Sequence, residues 1–317
     1  MDYKIVEAIP EGVVIRGVKN FELPHIFDCG QCFRWERQQN GNYIGVAFGK
    51  VIELEKSGED VTIYNSTLED FNGIWEQYFD LQRDYSVIKE ELSEDPLLNK
   101  AVEYGYGIRL LQQDPFEITL SFIISARNSI PVIMKTIKRI SEAYGRPLEY
   151  KGKTYYAFPT PEELKGVGTE AFEACGASFR SKYLSDTVAK VNRVIEEVKE
   201  RENTEGQFLE KPIELQELLA YDLNAIKALD ADACHIALQN FSGIGPKVAD
   251  CIMLFSMGKY SAFPVDVWVK RAMQHFYLAP DVSLPKMRIF AREKFGELSG
   301  FAQQYLFYYA RENNIQV

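Results

Sequence analysis

Two glycines that flank a single apolar residue constrain this chain more than any other feature of its sequence. An apolar helical pattern ends at Ser242, and Gly243-Ile244-Gly245 and then Pro246-Lys247 follow. Glycine accepts positive φ and lets another backbone approach closely. Proline at the first helical position is pre-set in φ and loses no hydrogen bond there. The pattern therefore predicts two helices joined by a tight hairpin, the second of which presents bare N–H groups suited to a phosphate.

Lys247 stands directly after this hairpin, at the positive end of the predicted helix. An ordinary lysine is protonated at neutral pH, so an amine that attacks carbon needs desolvation or a nearby positive potential. The plain alternative is a lysine that only contacts a phosphate. Asp266 comes later, in Pro264-Val265-Asp266, where it can cap the next helix. A carboxylate held rigidly in that way could also stabilise a developing oxocarbenium ion.

The order of the elements predicts an α+β protein. Alternating β-branched runs and the Asn40-Gly41 turn indicate strands before residue 75, with one helix near Leu68–Tyr78 and a strand-like stretch after Cys32. From about Tyr85 the pattern is helical. We expect an N-terminal antiparallel β-sheet domain over residues 1–95 and an all-helical domain over 96–317. The predicted helical segments and one predicted loop are Ser93–Tyr104, Pro115–Ala126, Pro131–Tyr144, residues 181–200, Tyr221–Leu229, residues 267–276, 285–294 and 299–313, and the loop Lys151–Pro161.

The motifs together resemble the helix-hairpin-helix/GPD superfamily of DNA glycosylases, and most closely its 8-oxoguanine DNA glycosylase/lyase branch. The resemblance rests on the helix-hairpin-helix at about 231–258, the Pro-Val-Asp loop at 264–266 and several outlying matches. It covers most of the chain, and the matching stretches are GIGPKVADCI, FPVDVWVKR, CGQCFRW from Cys29, Gly107–Leu111 with Asp114-Pro115, Ser121–Ser125, Phe301–Gln303 and Leu306-Phe307.

By this resemblance, Lys247 is the nucleophile that forms a Schiff base and Asp266 is its electrostatic partner. The resemblance implies base excision, an imine to the opened sugar, and then β-elimination. It also assigns the base pocket. The Gly30 carbonyl would accept the proton that 8-oxoguanine bears on N7 and guanine lacks, and guanine would leave that acceptor unpaired. The remaining pocket residues implied are Gln303 at the Watson–Crick edge, with Phe307 and Cys251 on the two faces of the flipped base.

The resemblance also assigns residues that contact DNA, and the chain departs from the family pattern there. The expected DNA-binding residues are Arg127, Asn128, Phe179, Arg180, Gly243, Gly245 and Val248. Val132 stands where well-known eukaryotic members carry an arginine that reads the opposite cytosine, and Phe179 replaces a tyrosine. We therefore expect the base opposite the lesion to be read less strictly. Trp268 replaces a histidine, and the sequence offers no account of that exchange.

Charge and cysteine usage narrow the alternatives. The net charge of −10 disfavours non-specific DNA affinity, yet residues 127–153 carry seven basic groups against two acidic ones. The five cysteines are scattered and suggest no disulfide framework, and Cys29–Cys32 lacks the second pair that a zinc site needs. The sequence shows no long uncharged apolar run that would suggest a membrane span.

The sequence therefore predicts an enzyme that excises 8-oxoguanine from duplex DNA and needs no cofactor, because an amine and a carboxylate suffice. We expect a monomer in a prokaryotic cytoplasm, with no membrane association. Outward-facing carbonyls near Phe241 and Ile244 form a candidate site for a structural cation. Two alternatives stay open. One is a monofunctional alkylbase glycosylase that uses Asp266 alone, and the other is a non-catalytic helix-hairpin-helix module that only binds DNA.

Overall fold

The computed structural model describes residues 1–203, 220–278 and 282–315. The chain begins with a six-stranded antiparallel sheet of order β1-β2-β6-β5-β4-β3. Its strands are β1 (Ile5–Ile9), β2 (Gly12–Arg16), β3 (Trp35–Arg37), β4 (Tyr43–Ala47), β5 (Lys50–Ser57) and β6 (Asp60–Tyr64). The predicted Asn40-Gly41 hairpin joins β3 to β4, and Gly41 takes a φ of 91° there. The strand-like stretch after Cys32 is shorter than expected, because pairing with β4 begins only at Trp35.

Helices fill most of the rest of the described chain. They are α1 (Leu23–Phe27), α2 (Leu68–Asp70, continued by a π-turn Phe71–Trp75 and Glu76–Tyr78), α3 (Tyr85–Ser93), α4 (Pro96–Tyr104), α5 (Pro115–Ser125), α6 (Ile130–Tyr144), α7 (Thr169–Ala174), α8 (Ser181–Asn203), α9 (Leu223–Ala228), α10 (Ala231–Leu238), α11 (Pro246–Ser256), α12 (Val267–Phe276), α13 (Leu284–Phe295) and α14 (Ser299–Glu312). Single 3₁₀ turns cover Ser178–Arg180 and Gly296–Leu298. The α+β prediction is confirmed, with the helix-hairpin-helix formed by α10 and α11.

The prediction of a loop over Lys151–Pro161 was wrong in part. Part of this segment forms the strand β8 (Lys153–Tyr156), which pairs with β7 (Pro147–Tyr150) in a hairpin. Tyr150 and Tyr155 of this hairpin pack with Leu148 on a small apolar cluster of the large sheet. The chain thus returns to the N-terminal sheet after α6, and aromatic side chains anchor the return.

Two large apolar cores hold the protein together. One lies under the sheet and includes Trp35, Trp75 and Tyr78, and the other lies among the helices from α3 onward. Arg109 joins the two regions. Its guanidinium is fully buried, pairs with Asp2 at 2.7 Å and donates to the carbonyl of Phe79 at 2.8 Å. The predicted division of the chain at residue 95 stays a prediction.

Candidate active site

A cavity of about 400 Å³ lies where the helical region meets the loop after α1. Six residues singled out from the sequence as catalytic or base-binding line it, together with Asn128 of the predicted DNA-binding set. The six are Gly30, Lys247, Cys251, Asp266, Gln303 and Phe307. The structure therefore brings to one place residues from four separate parts of the sequence.

Lys247 occupies the second position of α11. Gly245 is the N-cap with extended backbone, Pro246 takes the first helical position, and the helix's first hydrogen bond runs from Ala249 N to Gly245 O at 2.9 Å. The amide N–H groups of Lys247 and Val248 precede that bond, so they stay available at the helix terminus. The Lys247 Nζ lies 5.7 Å from the ring centroid of Phe122, which is part of the cavity wall.

Asp266 caps α12 as the sequence predicts. Its Oδ1 accepts a hydrogen bond from Val269 N at 2.8 Å, which fixes the carboxylate in the wall of the cavity. Burial raises the pKa of Asp266 above the ordinary aspartate value, while the cap bond and the Lys247 ammonium act in the opposite direction. The amine and the carboxylate are thus close enough to influence each other inside a partly desolvated site.

Cys251 lies one helical turn after Lys247, on the same face of α11. Its side chain is buried, and burial raises the pKa of the thiol to about 11. The nearby Lys247 ammonium opposes that rise. At neutral pH Cys251 is therefore a neutral thiol that offers a small apolar surface to the cavity.

Gly30 packs against Phe307 in the cavity wall. Its φ of 78° favours glycine, and a Cβ at this position would lie 3.0 Å from Cε1 of Phe307. The loop is tied to α14 by two bonds that the sequence did not suggest. Gln304 donates from Nε2 to the carbonyl of Cys29 at 2.6 Å, and Arg311 donates from Nη2 to the carbonyl of Asp28.

Gln303 supplies an unsatisfied polar group inside the cavity. The residue is only 4% exposed, yet its Oε1 has no hydrogen-bond partner among the described residues. Leaving a buried acceptor without a hydrogen-bond donor destabilises the folded protein by about 1–3 kcal/mol. The arrangement is therefore suited to a ligand that brings an N–H group to this position.

Residues of the CGQCFRW segment other than Gly30 mainly hold the loop, although Cys29 and Phe33 also line the cavity. Gln31 is fully buried, and its Nε2 donates to the carbonyls of Ile26 at 2.9 Å and Arg109 at 2.7 Å, while its Oε1 accepts from Leu111 N. Trp35 stacks on another ring of the sheet core. These contacts explain why the motif extends beyond the residues that line the cavity.

Of the predicted DNA-contacting residues, Asn128 lines the cavity, and Arg180 lies behind its loop. Arg180 is buried, and its Nε donates to Ala126 O at 2.8 Å and its Nη2 to Arg127 O at 3.1 Å. The guanidinium also lies 4.3 Å from the ring centroid of Phe179, whose side chain is 51% exposed. Arg180 therefore holds together the Arg127-Asn128 loop and the exposed Phe179 ring, which sequence spacing alone leaves far apart.

The hairpin glycines differ in their surroundings. Gly243 has a φ of 85°, and a Cβ there would lie 2.7 Å from the Tyr183 ring, whereas Gly245 has open space around it. The Val248 side chain is buried, so only its backbone N–H could reach DNA. At the candidate cation site, Ile244 N donates to Phe241 O at 3.2 Å.

Ion pairs partly neutralise the basic stretch that the sequence shows. The basic stretch 127–153 is not one free patch, because Lys151 pairs with Glu53 at 2.6 Å and Lys153 with Glu36 at 3.9 Å.

All five cysteines are free and buried, including the CxxC pair. Within the described ranges, no group of three or more His, Cys, Asp or Glu side chains could hold a metal ion, and no helix could span a membrane.

Comparisons with known families agree with this site. A model of the 8-oxoguanine DNA glycosylase N-terminal domain matches residues 13–119, and the HhH-GPD superfamily base excision DNA repair model matches residues 120–297. The chain belongs to the 8-oxoguanine DNA glycosylase branch of the HhH-GPD superfamily. As a member of this family it is a base excision DNA repair glycosylase with an associated lyase activity.

Individual relatives extend the likeness over nearly the whole chain. The crystal structure of Clostridium acetobutylicum 8-oxoguanine glycosylase/lyase, in complex with duplex DNA containing cytosine opposite 8-oxoguanine, is 58% identical and has a TM-score of 0.89. The match covers 99% of this chain and 100% of that one. An N-glycosylase/DNA lyase of Arabidopsis thaliana, OGG1, is 30% identical over 90% of this chain and 76% of its own length. A protein of Methanothermobacter thermautotrophicus named "Probable N-glycosylase/DNA lyase" is 30% identical over 76% of this chain and 74% of its own length.

Proposed function

We propose that this glycosylase excises 8-oxoguanine from duplex DNA by taking the flipped base into the 400 Å³ cavity. The observation that carries the proposal is the convergence of Lys247, Asp266 and Gln303 with the Gly30 loop on that one cavity. Enzymes that act on a base must extrude it, and they read it in a flat pocket through its Watson–Crick edge. The 8-oxoguanine complex of the Clostridium acetobutylicum relative supports the same substrate class.

Recognition of the base would combine stacking and hydrogen bonds. The purine would lie between the Phe307 ring and the Cys251 thiol, both of which line the cavity. Oε1 of Gln303 would accept from an N–H of the Watson–Crick edge, which would satisfy the unpartnered buried acceptor. The carbonyl of Gly30 would accept the N7–H of the oxidised base, and guanine lacks that proton. Leaving such an acceptor unpaired disfavours the undamaged base.

The chemical step uses two groups. The unprotonated Lys247 amine attacks C1′ of the flipped nucleotide, a C–N bond forms, and the C1′–N9 bond breaks with its electron pair leaving on the base. Asp266 stabilises the positive charge that develops on the sugar, which a carboxylate can do strongly in a partly desolvated site. Ring opening gives an imine between Lys247 and C1′. Loss of a C2′ proton then eliminates the 3′ phosphate and cuts the strand.

Contacts to DNA would come from the first turn of α11 and from the Arg127-Asn128 loop with Phe179. The first-turn N–H groups of α11 can hold a phosphate because they have no intrahelical acceptors. Phe179 is an exposed ring that Arg180 links to the Arg127-Asn128 loop, and we propose that these residues fill the gap left by the flipped base. Gly243 would let the hairpin seat closely against Tyr183, and Gly245 would let a DNA backbone approach.

A single chain supplies every group in this proposal, so we propose that the protein acts as a monomer. Its proposed place of action is the prokaryotic cytoplasm, on chromosomal DNA. The proposal assigns no cofactor, because Lys247 and Asp266 account for both bond-breaking steps.

Three duplexes test the proposed function against its rivals under single-turnover conditions. One carries 8-oxoguanine, one carries 3-methyladenine, and one carries a preformed abasic site. The proposal predicts excision of 8-oxoguanine and cutting of the abasic strand, with little excision of 3-methyladenine. Excision of the alkylated base without strand cutting would identify a monofunctional glycosylase. Salt-dependent binding without turnover on any duplex would identify a module that only binds DNA.

A further inference from the structure

Arg311 is a charged residue of the base pocket that the proposed mechanism has not used. It lies on α14, four residues after Phe307 and eight after Gln303, so all three share one helix face. Its side chain is 18% exposed, it lines the cavity, and its guanidinium carbon lies 5.2 Å from the Phe307 ring centroid. Among the described residues that line the cavity, Lys247 and Arg311 are the only cations.

The hydrogen bonds of Arg311 leave one end of its guanidinium available. Nε and Nη2 donate to Oε1 of Glu312 at 3.0 Å and 2.9 Å, and Nη2 also donates to the carbonyl of Asp28. Nη1 has no acceptor among the described residues. It lies 3.5 Å from the point where a Cβ on Gly30 would stand. The free N–H groups therefore lie beside Gly30, at the edge of the pocket assigned to the oxidised side of the base.

The reaction creates negative charge at that edge. When the C1′–N9 bond breaks, the electron pair stays with the base, and an 8-oxopurine spreads it over its ring nitrogens and O8. The other groups proposed to contact the base are neutral, namely the Gly30 carbonyl, the Gln303 amide, Phe307 and the Cys251 thiol. The field of Arg311 also reaches across the cavity. Burial raises the pKa of Asp266, and Arg311 is one of the groups that oppose the rise.

We propose that Arg311 contacts the departing 8-oxopurine through Nη1 and stabilises the negative charge that the base carries as its glycosidic bond breaks. This inference rests on the proposed function of the cavity. The balance is complete without a further reactant. Lys247 gains the bond to C1′, the base leaves as an anion, and one proton of the resulting substituted ammonium ends on the base. Arg311 keeps its protons throughout and acts only through its charge and hydrogen bonds.

The test separates excision from strand cutting. Arg311→Met keeps much of the aliphatic length and removes the charge, and Arg311→Lys restores a charge without the planar fork. Loss of one preorganised donor to a developing anion costs about 10²–10³ in rate at an enclosed site. Because Arg311 also pairs with Glu312, we expect about a 10- to 100-fold slower excision of 8-oxoguanine in Arg311→Met. Arg311→Lys should recover part of this loss.

Cutting of a preformed abasic site has no departing base, so Arg311→Met should cut it at the wild-type rate. A series of 8-oxopurines that keep N7–H but differ in the acidity of the departing base gives a second readout. Loss of the charge should make the excision rate depend more steeply on that acidity. A residue that merely positions the Gly30 loop would lower all the rates in parallel and leave the slope unchanged.

Arg16→Met is the matched control, because Arg16 pairs with Glu7 and Asp60 on the sheet. It should leave every rate unchanged. Equal losses of excision and abasic-site cutting in Arg311→Met, an unchanged rate, or an unchanged slope would each overturn the inference. A wild-type protein that cuts the abasic site but does not excise 8-oxoguanine would overturn the proposed substrate instead, which distinguishes the two failures.

Discussion

Gly30 lies so close to Phe307 that a Cβ on Gly30 would stand 3.0 Å from Cε1 and 3.1 Å from Cζ of the ring. Phe307 is the proposed stacking platform for the base, so the Gly30 backbone sets how close this ring can lie to the loop. The positive φ of Gly30 adds a second constraint on this position. A side chain here would both strain the loop and displace the ring.

Gly30→Ala should lower single-turnover excision of 8-oxoguanine by at least about 10-fold, since small displacements of positioning groups have large effects on rate. Cutting of a preformed abasic site should change much less, because that step needs no base in the pocket. Gly41→Ala is the matched control. Gly41 also has positive φ, at 91°, but nothing lies within 4 Å of its Cβ position. Equal effects of the two substitutions on excision would contradict the proposed role of Gly30.

Asp266→Asn separates the charge of this residue from its capping role. Asparagine is an equally good N-cap, so the unfolding free energy should change by less than about 1 kcal/mol. Excision should fall by about 10²–10³-fold, because the developing sugar cation loses its counter-charge. Comparable excision by the variant and the wild type would show that the carboxylate is only a cap.

The pH dependence of excision gives an independent check on Asp266. Burial raises the pKa of this carboxyl in the folded protein. The carboxylate is the active form, so the rate should fall as pH drops through that raised pKa, at a higher pH than for an ordinary aspartate. In Asp266→Asn the residual rate should lack this acidic limb. A limb that persists unchanged in the variant would assign it to another group.

Glu117 should make the protein less stable as pH rises. Burial raises its pKa to about 7, although Arg34 lies 3.7 Å away and opposes the rise. The pKa of Glu117 in the folded protein exceeds that of a glutamate in the unfolded chain, which is about 4.3. Ionisation is therefore disfavoured in the folded state, and stability is lost between these two values and then levels off. The loss should be at most about 3–4 kcal/mol, since each pKa unit corresponds to about 1.4 kcal/mol.

Urea unfolding at pH 5 and pH 8 measures this slope. Glu117→Gln cannot ionise, so its unfolding free energy should vary less between the two pH values than that of the wild type. The comparison uses the difference in slope rather than the stability at one pH, because Glu117→Gln also replaces the carboxyl beside the buried Arg34 with an amide. Identical slopes for the two proteins would show that Glu117 does not titrate in this range.

Val132 tests the expectation of relaxed reading of the opposite base. The residue is 45% exposed at the start of α6 and follows the cavity-lining Ser129-Ile130-Pro131. The wild type should excise 8-oxoguanine opposite C, A, G and T at rates within about 10-fold, since a good bidentate contact is worth about 1–3 kcal/mol and none is predicted here. Val132→Arg should increase the preference for cytosine, whereas Val132→Met should not. A strong wild-type preference for cytosine would contradict this expectation.

The sequence predicted most of the fold because the local signals agree with one another. Asp95-Pro96 and Asp114-Pro115 begin helices as expected, with the aspartate side chains accepting from the first-turn N–H groups. The β7–β8 hairpin was missed because its aromatic residues pack on a distant sheet, so its strands depend on tertiary contacts that no short window contains. The helix α1 was also missed, because its five residues are too few to show a helical period.

The site could be assembled from motifs, but its supporting bonds could not. Gln304 and Arg311 hold the Gly30 loop from the opposite end of the chain, through backbone carbonyls of Cys29 and Asp28. A carbonyl acceptor leaves no mark on the residue that bears it, so the pairing has no sequence signal. The position of Arg311 in the pocket did have a sequence signal, because Arg311 stands at the i+4 position from Phe307 on the helix face that lines the pocket.

Trapping with borohydride on a duplex that contains one 8-oxoguanine tests the central claim most directly, since reduction of an imine fixes the protein to the DNA. The wild type should give a covalent adduct, and Lys247→Gln should give none. Lys50→Gln, which removes a lysine paired with Asp70 at 2.9 Å on the sheet domain, should trap like the wild type. An undiminished adduct in Lys247→Gln would contradict the assignment of the nucleophile. Excision by the wild type that leaves an alkali-labile site without any adduct would contradict the lyase mechanism.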